Sequence, residues 1–336
     1  MDCRDRAGRR VEGGEGQDRF LRGLYGTRGG RVCVKLLIQP WVSKLGGRVL
    51  NSRLSRVGIP RFIEKNKIDM SQYEERSFRS YNDFFMRRIK PEMRPVSMEA
   101  TRLISPCDSR LTVHEITESS CFAIKGTMYT MESLLRDKAL ARVYDGGTLL
   151  LFRLTVDDYH RYCYVDSGQK SKNHWLPGVY HTVNPAAAEV YPIYKENTRC
   201  YSFIDSENFG RILQMEVGAL MVGKIINYEE AAQVTRGDEK GRFEFGGSTI
   251  VVALPKGSCV IDADILENSR AGMETKVKYG EAIGQKKPVA GIIHLREAIK
   301  RNLKFNSRRA LRGGLALHGM REVPPETCLT KNLKSF

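Results

Sequence analysis

Apolar positions change their rhythm near residue 100. Residues 1–30 are polar, charged and glycine-rich, which predicts a mobile basic N-terminus. Residues 31–96 read mainly as helices. Ile59-Pro60 predicts a helix start, because proline is tolerated in a first turn. Ser77 to Arg88 is a second helix candidate, with Phe84 and Phe85 on its buried side. From about residue 100 to 285, short apolar runs are separated by Gly, Asn, Asp and Pro. Thr148–Leu154, Ile212–Val217, Thr249–Leu254 and Cys259–Ile261 predict strands. Gly218, Gly223, Gly237, Gly241, Gly257 and Gly280 predict turns. The chain therefore reads as α+β, a helical N-terminal region (31–96) followed by a β-rich domain (97–285). Residues 286–336 form a basic tail. Its stretch GIIHLREAIKRNLKF places Ile292, Leu295, Ile299 and Leu303 on one helical stripe.

Charge sharpens this division. The net charge of +16 over 336 residues is uneven. Residues 1–96 carry +11 and residues 286–336 carry +9, while the middle carries −4. Basic flanks suit either nucleic acid or an anionic bilayer. No zinc-finger spacing or RNA-binding aromatic signature supports nucleic acid. VCVKLLIQPWVSKLGGRVL (32–50) favours the membrane: it mixes Val, Leu, Ile and Trp41 with Lys35, Lys44 and Arg48. Pro40 interrupts it, and it is too broken to span a bilayer. The first 19 residues lack the apolar segment of a signal peptide. The eight cysteines contain no CxxC pair, which predicts buried thiols in a reducing compartment. Peripheral association with a membrane, at its cytoplasmic face, is the resulting expectation.

Three segments carry candidate chemistry. In EFGGSTIVVALP, Gly247 has no Cβ to obstruct attack on its carbonyl, so Ser248 could attack the peptide bond before it. The same glycines also suit a β-bulge or tight turn. In LFRLTVDDYHRYCYVDSG, Phe152, Leu154 and Val156 alternate with Arg153 and Thr155, predicting a half-buried strand. It delivers Asp157, Asp158, Tyr159, His160 and Arg161 together. His160 is a candidate general base, because imidazole titrates near neutrality. A charged surface turn is the plainer reading. In ISPCDSRLTV, Pro106 imposes an extended approach and Asp108 sits on the turn, as a candidate acid or as a simple Asx-turn. There is no HExxH, Walker or Rossmann motif, so no metal site is expected.

SPCDS, DYHR and FGGST, in this order, resemble the phosphatidylserine decarboxylase family. YNDFFMRRIKPEMRPV (81–96), KGTMYTMESLL (125–135), PGVYHTVNP (177–185) and FGRILQMEVGALMVGKI (209–225) match further family segments. The likeness covers roughly residues 20–285. YGTRGGRV and DYHRYCYVDSGQKSKN are most similar to its clostridial-type branch. KVKYGEAIG resembles the end of a lipoyl-like β-sandwich, a feature of the family. Two positions depart from the pattern. Cys163 stands where the family often has a second histidine, and Ser109 where glycine is usual. His174 and His181 are possible substitutes for that histidine.

The resemblance implies a self-cleaving precursor. Asp108 would orient His160, and His160 would take the proton of Ser248. The chain would then split between Gly247 and Ser248, with Ser248 becoming a covalent pyruvoyl group. That group would decarboxylate phosphatidylserine to phosphatidylethanolamine. The implied partners are the lipid substrate, an anionic membrane surface, the two cleaved chains as a heterodimer, and a higher oligomer; nucleic acid is not among them. Two other classes use the same features. One is a serine hydrolase built from Asp108, His160 and Ser248, and the other is a non-enzymatic membrane-binding module.

Overall fold

In the computed structural model, residues 2–11, 40–117, 122–124, 127–177, 198–218, 224–244 and 249–288 are described. The chain divides into two units, Met1–Lys287 and Pro288–Phe336, and the helices and strands below all lie in the first. The helical stripe expected at 292–303 lies outside the described residues.

The Thr249–Leu254 run, TIVVAL, is a strand with all six residues buried. Its β-branched side chains fit a pleated surface covered on both faces. It lies antiparallel between Thr148–Arg153 and Gly210–Val217. From there the large sheet extends both ways. On one side come Ser109–Glu115, Glu274–Val277 and Cys3–Arg4; on the other, Arg199–Ser206, Gly168–Lys170 and Ala232–Val234. Among the described residues of this sheet, the Cys3–Arg4 pairing with Glu274–Val277 is the parallel one. Leu149, Leu150, Phe152, Ile212, Met215, Ile250 and Val252 are buried in one apolar core. The helix Ala263–Arg270 covers one face near the edge, where Asn268 Nδ2 donates to Thr275 Oγ1 at 3.0 Å.

Besides the large sheet, the described residues form a two-stranded pair, Phe122–Ile124 with Thr127–Tyr129, and two three-stranded sheets. Lys224–Asn227, Glu239–Glu244 and Arg161–Cys163 form the first. Cys259–Ile261, Ala282–Lys286 and Arg102–Ile104 form the second. The result is α+β, with short helices and many strands, as the pattern predicts. Thr249–Leu254 and Cys259–Ile261 have the expected bounds.

Several local expectations are revised. The strand expected through Val156 ends at Arg153 and is buried along Leu149–Phe152 rather than half-buried. Its end has a cause: Asp158 N donates to Thr155 O at 3.0 Å, while Asp158 Oδ2 accepts from Thr155 N and Oγ1, so residues 155–158 fold into a turn. The Ser77–Arg88 helix shrinks to Tyr81–Phe85, capped by Ser80 Oγ accepting from Asp83 N. It cannot continue, because residues 88–90 pair with 72–74 instead: Glu74 N donates to Arg88 O and Lys90 N to Gln72 O, both at 2.9 Å. Phe84 and Phe85 are buried, as expected. Ile59-Pro60 does start a helix, Ile59–Lys65.

Pro40 is the first residue of the helix Pro40–Asn51, a position that tolerates its missing donor; residues 32–39 lie outside the described residues. Gly241 is not a turn but sits inside a strand, where a Cβ would meet the Ile226 carbonyl oxygen at 2.0 Å. Gly280, at φ +77°, is a turn. Of the N-terminal residues expected to be mobile, 2–11 are described and are packed on the fold, while 12–30 lie outside the described residues. Cys3 is buried against the sheet, and Arg6 pairs with Asp264 at 2.5 Å and Asp262 at 2.9 Å. Among the described residues Cys3, Cys107, Cys163, Cys200 and Cys259 are free thiols, the first four buried.

Candidate active site

Asp108 lies on the turn that leads into Ser109–Glu115. Its carboxylate accepts a two-pronged pair of bonds from Arg94: Nε to Oδ1 at 2.8 Å and Nη2 to Oδ2 at 2.6 Å. Tyr279 N adds a third bond to Oδ1 at 2.9 Å. Both partners of the ion pair are almost buried, with 9% and 7% of their side chains exposed. A planar guanidinium matched to a carboxylate is the strong form of this contact.

His160 stands just before the Arg161–Cys163 strand and is 1% exposed. Its Nδ1 lies 2.8 Å from the main-chain oxygen of Asp158. A carbonyl oxygen only accepts, so Nδ1 carries the hydrogen, and the lone pair of the neutral ring is on Nε2. Phe85 packs against the imidazole with ring centroids 4.0 Å apart. The main-chain oxygen of His160 accepts from Phe243 N at 2.9 Å.

Asp108 and His160, expected to act together, are held by separate partners. The bonds to Asp108 come from Arg94 and Tyr279. The group that meets His160 Nδ1 is the Asp158 carbonyl. The two arrangements are neighbours in the fold, because Cys163 N, three residues after the histidine, donates to Pro106 O at 2.9 Å.

Asp158 is itself held. Thr155 N and Oγ1 donate to its Oδ2 at 2.7 and 2.9 Å, and Lys276 Nζ binds its Oδ1. Burial alone would push this carboxyl up. The attraction of Lys276 and the hydrogen bonds from Lys276 and Thr155 outweigh that and hold it below the usual range. Conversely, burial works against the Lys276 ammonium, but Asp158 raises its pKa overall.

Cys163, at the position of the absent histidine, is fully buried, and burial pushes its thiol up to about 12. It stays a thiol at neutral pH and offers no base. His174 is in the strand His174–Leu176, stacked on Tyr201 at 4.9 Å. The pairings His174–Tyr201, Tyr201–Met215 and Met215–Val251 put it three strands from Val251. At about 4.8 Å per strand that is roughly 14 Å. His181 lies outside the described residues, as do Gly247 and Ser248.

The residues that flank Gly247 and Ser248 are described. Upstream, Phe243 is bound to the His160 backbone. Downstream, Thr249 pairs with Arg153 and Val217. Segment 153–160, which carries the histidine, thus holds the chain on both sides of residues 245–248. The sequence pattern does not mark Arg94, Phe85, Asp158 or Lys276 as site residues. Asp158 belongs to the DDYHR cluster and Arg94 to the KPEMRPV segment, but neither cluster says which partner it meets. Among the described residues no group of His, Cys, Asp and Glu is placed to hold a metal ion.

A family model described as phosphatidylserine decarboxylase matches residues 81–285. A phosphatidylserine decarboxylase proenzyme 2 of Clostridium acetobutylicum is 47% identical over 266 residues, covering 79% of this chain and 91% of that protein. Phosphatidylserine decarboxylase proenzymes of Ruminiclostridium cellulolyticum and Clostridium botulinum are 42% and 41% identical over 272 and 276 residues. They cover 79% and 80% of this chain, and 91% and 94% of their own lengths. On the extent of these matches, the chain belongs to the phosphatidylserine decarboxylase family of carboxy-lyases.

Proposed function

We propose that this chain is a proenzyme that cuts itself between Gly247 and Ser248 and then decarboxylates phosphatidylserine through a pyruvoyl group made from Ser248. The observation that carries this reading is the state of His160. Its Nδ1–H is tied to the Asp158 carbonyl, so Nε2 is the basic atom. The segment bearing it grips the chain on both sides of the cleavage site.

The chemistry runs on the chain's own atoms. His160 Nε2 takes the hydroxyl proton of Ser248 as Oγ attacks the Gly247 carbonyl carbon. The Gly247–Ser248 C–N bond breaks, its nitrogen takes the proton, and an ester remains. Loss of the Ser248 α-proton expels the Gly247 carboxylate and leaves dehydroalanine. Water then replaces its nitrogen, releasing ammonia and leaving the pyruvoyl group. Asp108 enters this site as an ion pair with Arg94, so its part is to fix the turn beside the histidine segment rather than to act as a free charge.

The residue after Ser248 fits such a group. Thr249 is buried, and its Oγ1 has no hydrogen-bond partner among the described residues. A buried hydroxyl left unpaired costs about 1–3 kcal/mol. A carbonyl at position 248 would supply its acceptor. Once formed, the group supplies the electrophilic carbonyl that receives the electron pair as carbon dioxide leaves.

The fold supports a stable pair of chains after cleavage. The downstream strand Thr249–Leu254 lies between two upstream strands, as does Glu274–Val277. Arg153 also binds Glu274 across the division, at 2.6 and 2.7 Å. Purified protein should therefore elute as one particle under native conditions. Intact mass in denaturant should give residues 1–247 and a second chain starting with the pyruvoyl-modified residue 248. A single uncut chain in active protein would refute the reading.

We also place the membrane contact at the first helices. Among the described residues no helix is long and apolar enough to cross a membrane. Yet Val49, Leu54 and Val57 are 58%, 84% and 79% exposed, beside exposed Arg48, Arg53, Arg56, Arg61 and Lys65. Apolar side chains ringed by cations suit an anionic bilayer surface, where each cation contributes about 1 kcal/mol. Leu54→Ala with Val57→Ala should weaken co-sedimentation with phosphatidylserine vesicles roughly tenfold or more, at about 0.8 kcal/mol per buried CH₂. Raising salt from 0.1 to 1 M, which shrinks the Debye length from about 10 to about 3 Å, should remove the cationic share. Unchanged binding in the double variant would move the contact elsewhere.

A further inference from the structure

We infer that Lys276 is a positioning residue for His160, acting through Asp158; this rests on the reading of His160 as the base of self-cleavage. Lys276 lies in the strand Glu274–Val277, opposite Arg110 and two residues from the parallel pairing of Cys3 with Glu274. The sheet therefore fixes its backbone from both sides. Its Nζ binds Asp158 Oδ1, while Thr155 N and Oγ1 hold Oδ2 at 2.7 and 2.9 Å. Only 4% of the Asp158 side chain is exposed, so water is a poor substitute for these donors.

A carboxylate held by three donors cannot turn without breaking bonds to buried partners. With the side chain fixed, the Asp158 peptide is fixed as well, and its carbonyl stays aimed at His160 Nδ1 at 2.8 Å. That carbonyl is what puts the hydrogen on Nδ1 and the lone pair on Nε2. Phe85 limits the remaining freedom of the ring by packing on its face. Lys276 thereby sets both the tautomer and the direction of a base it does not touch.

The two ends of this relay lie on different sides of the cleavage point. Asp158 and His160 precede Gly247, and Lys276 follows Ser248. After cleavage the relay is a contact between two chains. The geometry of His160 in the mature protein then depends on how the downstream chain is docked, and this links the first reaction to the second.

The test compares Lys276→Met and Lys276→Arg in the full chain. It follows the rate of self-cleavage after synthesis, the thermal midpoint, and the ¹⁵N signature of the His160 tautomer. The tautomer is read in a Ser248→Ala background, where the chain stays intact. Lys276→Met should slow cleavage about ten- to a hundredfold, since misplacing a catalytic group by about 1 Å costs rates of this order. It should also reduce the Nδ1–H form, and Lys276→Arg should restore most of both.

If Lys276→Met does not fold, Thr155→Val removes one donor to the same carboxylate at nearly the same volume. It should give the same shift of smaller size. Cleavage at the wild-type rate with an unchanged tautomer, in whichever of these variants folds, would overturn the role. A wild-type chain that never splits at 247/248 would instead refute the reading of His160, and the tautomer measurement would still decide whether Lys276 positions the ring.

Discussion

Ser248→Ala is expected to remain one 336-residue chain and to release no carbon dioxide from phosphatidylserine. One atom accounts for both losses. Without Oγ there is no nucleophile for the Gly247 carbonyl, so the backbone stays whole. Without Ser248 there is also no residue from which the electrophilic carbonyl can be made, so the second reaction has no electron sink. Activity should fall below about 10⁻³ of the wild type, the scale on which loss of a nucleophile is felt. Folding should be largely preserved, because the strand that follows is set by the buried Thr249–Leu254 run and its two antiparallel neighbours. Denaturing gels and headspace carbon dioxide measure the two effects independently. Full decarboxylation by an uncut chain would assign the chemistry to another group. Cleavage without decarboxylation cannot arise from this variant if Ser248 is the attacking residue.

The sequence was a good guide wherever structure follows from local pattern. TIVVAL is β-branched over its first four residues and apolar after Thr249, and it becomes a central strand with the bounds its pattern predicts. Phe84 and Phe85 are buried as a helix face, although the helix is shorter than its pattern suggests. That shortening is a tertiary effect, since residues 88–90 give their backbone bonds to residues 72–74. The strand ending at Arg153 differs because Thr155 and Asp158 close a turn, a choice that hydrophobic alternation does not encode.

For the site, residue types were legible and partners were not. An aspartate, a histidine and a serine in order suggest that Asp108 orients His160. The fold instead gives Asp108 to Arg94, 14 residues earlier, and Asp158 to Lys276, 118 residues later. Only folding decides which of several nearby carboxylates meets which cation. Arg94 binds Asp108 with both prongs of its guanidinium, whereas Lys276 offers one ammonium, so each carboxylate has a partner of different geometry.

His160→Ala should slow self-cleavage by about 10²–10⁴-fold, the usual contribution of a positioned general base. Among the described residues, the nearby groups offer no ready replacement. Cys163 is buried as a thiol whose pKa is pushed up to about 12, so it holds its proton at neutral pH. His174 lies three strands from Val251, and its ring is stacked on Tyr201. The Asp158 carboxylate is committed to Lys276 and Thr155, and its depressed pKa makes it a weak base. The alanine variant also removes the ring that packs on Phe85, so a stability loss of a few kcal/mol accompanies the kinetic effect. The two effects separate in a comparison with His160→Gln, which refills part of the volume and can still donate to the Asp158 carbonyl, but has no basic nitrogen. Both variants should accumulate as full-length chain, and the glutamine variant should recover more of the thermal midpoint than of the cleavage rate. Cleavage in His160→Gln at the wild-type rate would show that packing, and not basicity, is what this histidine supplies.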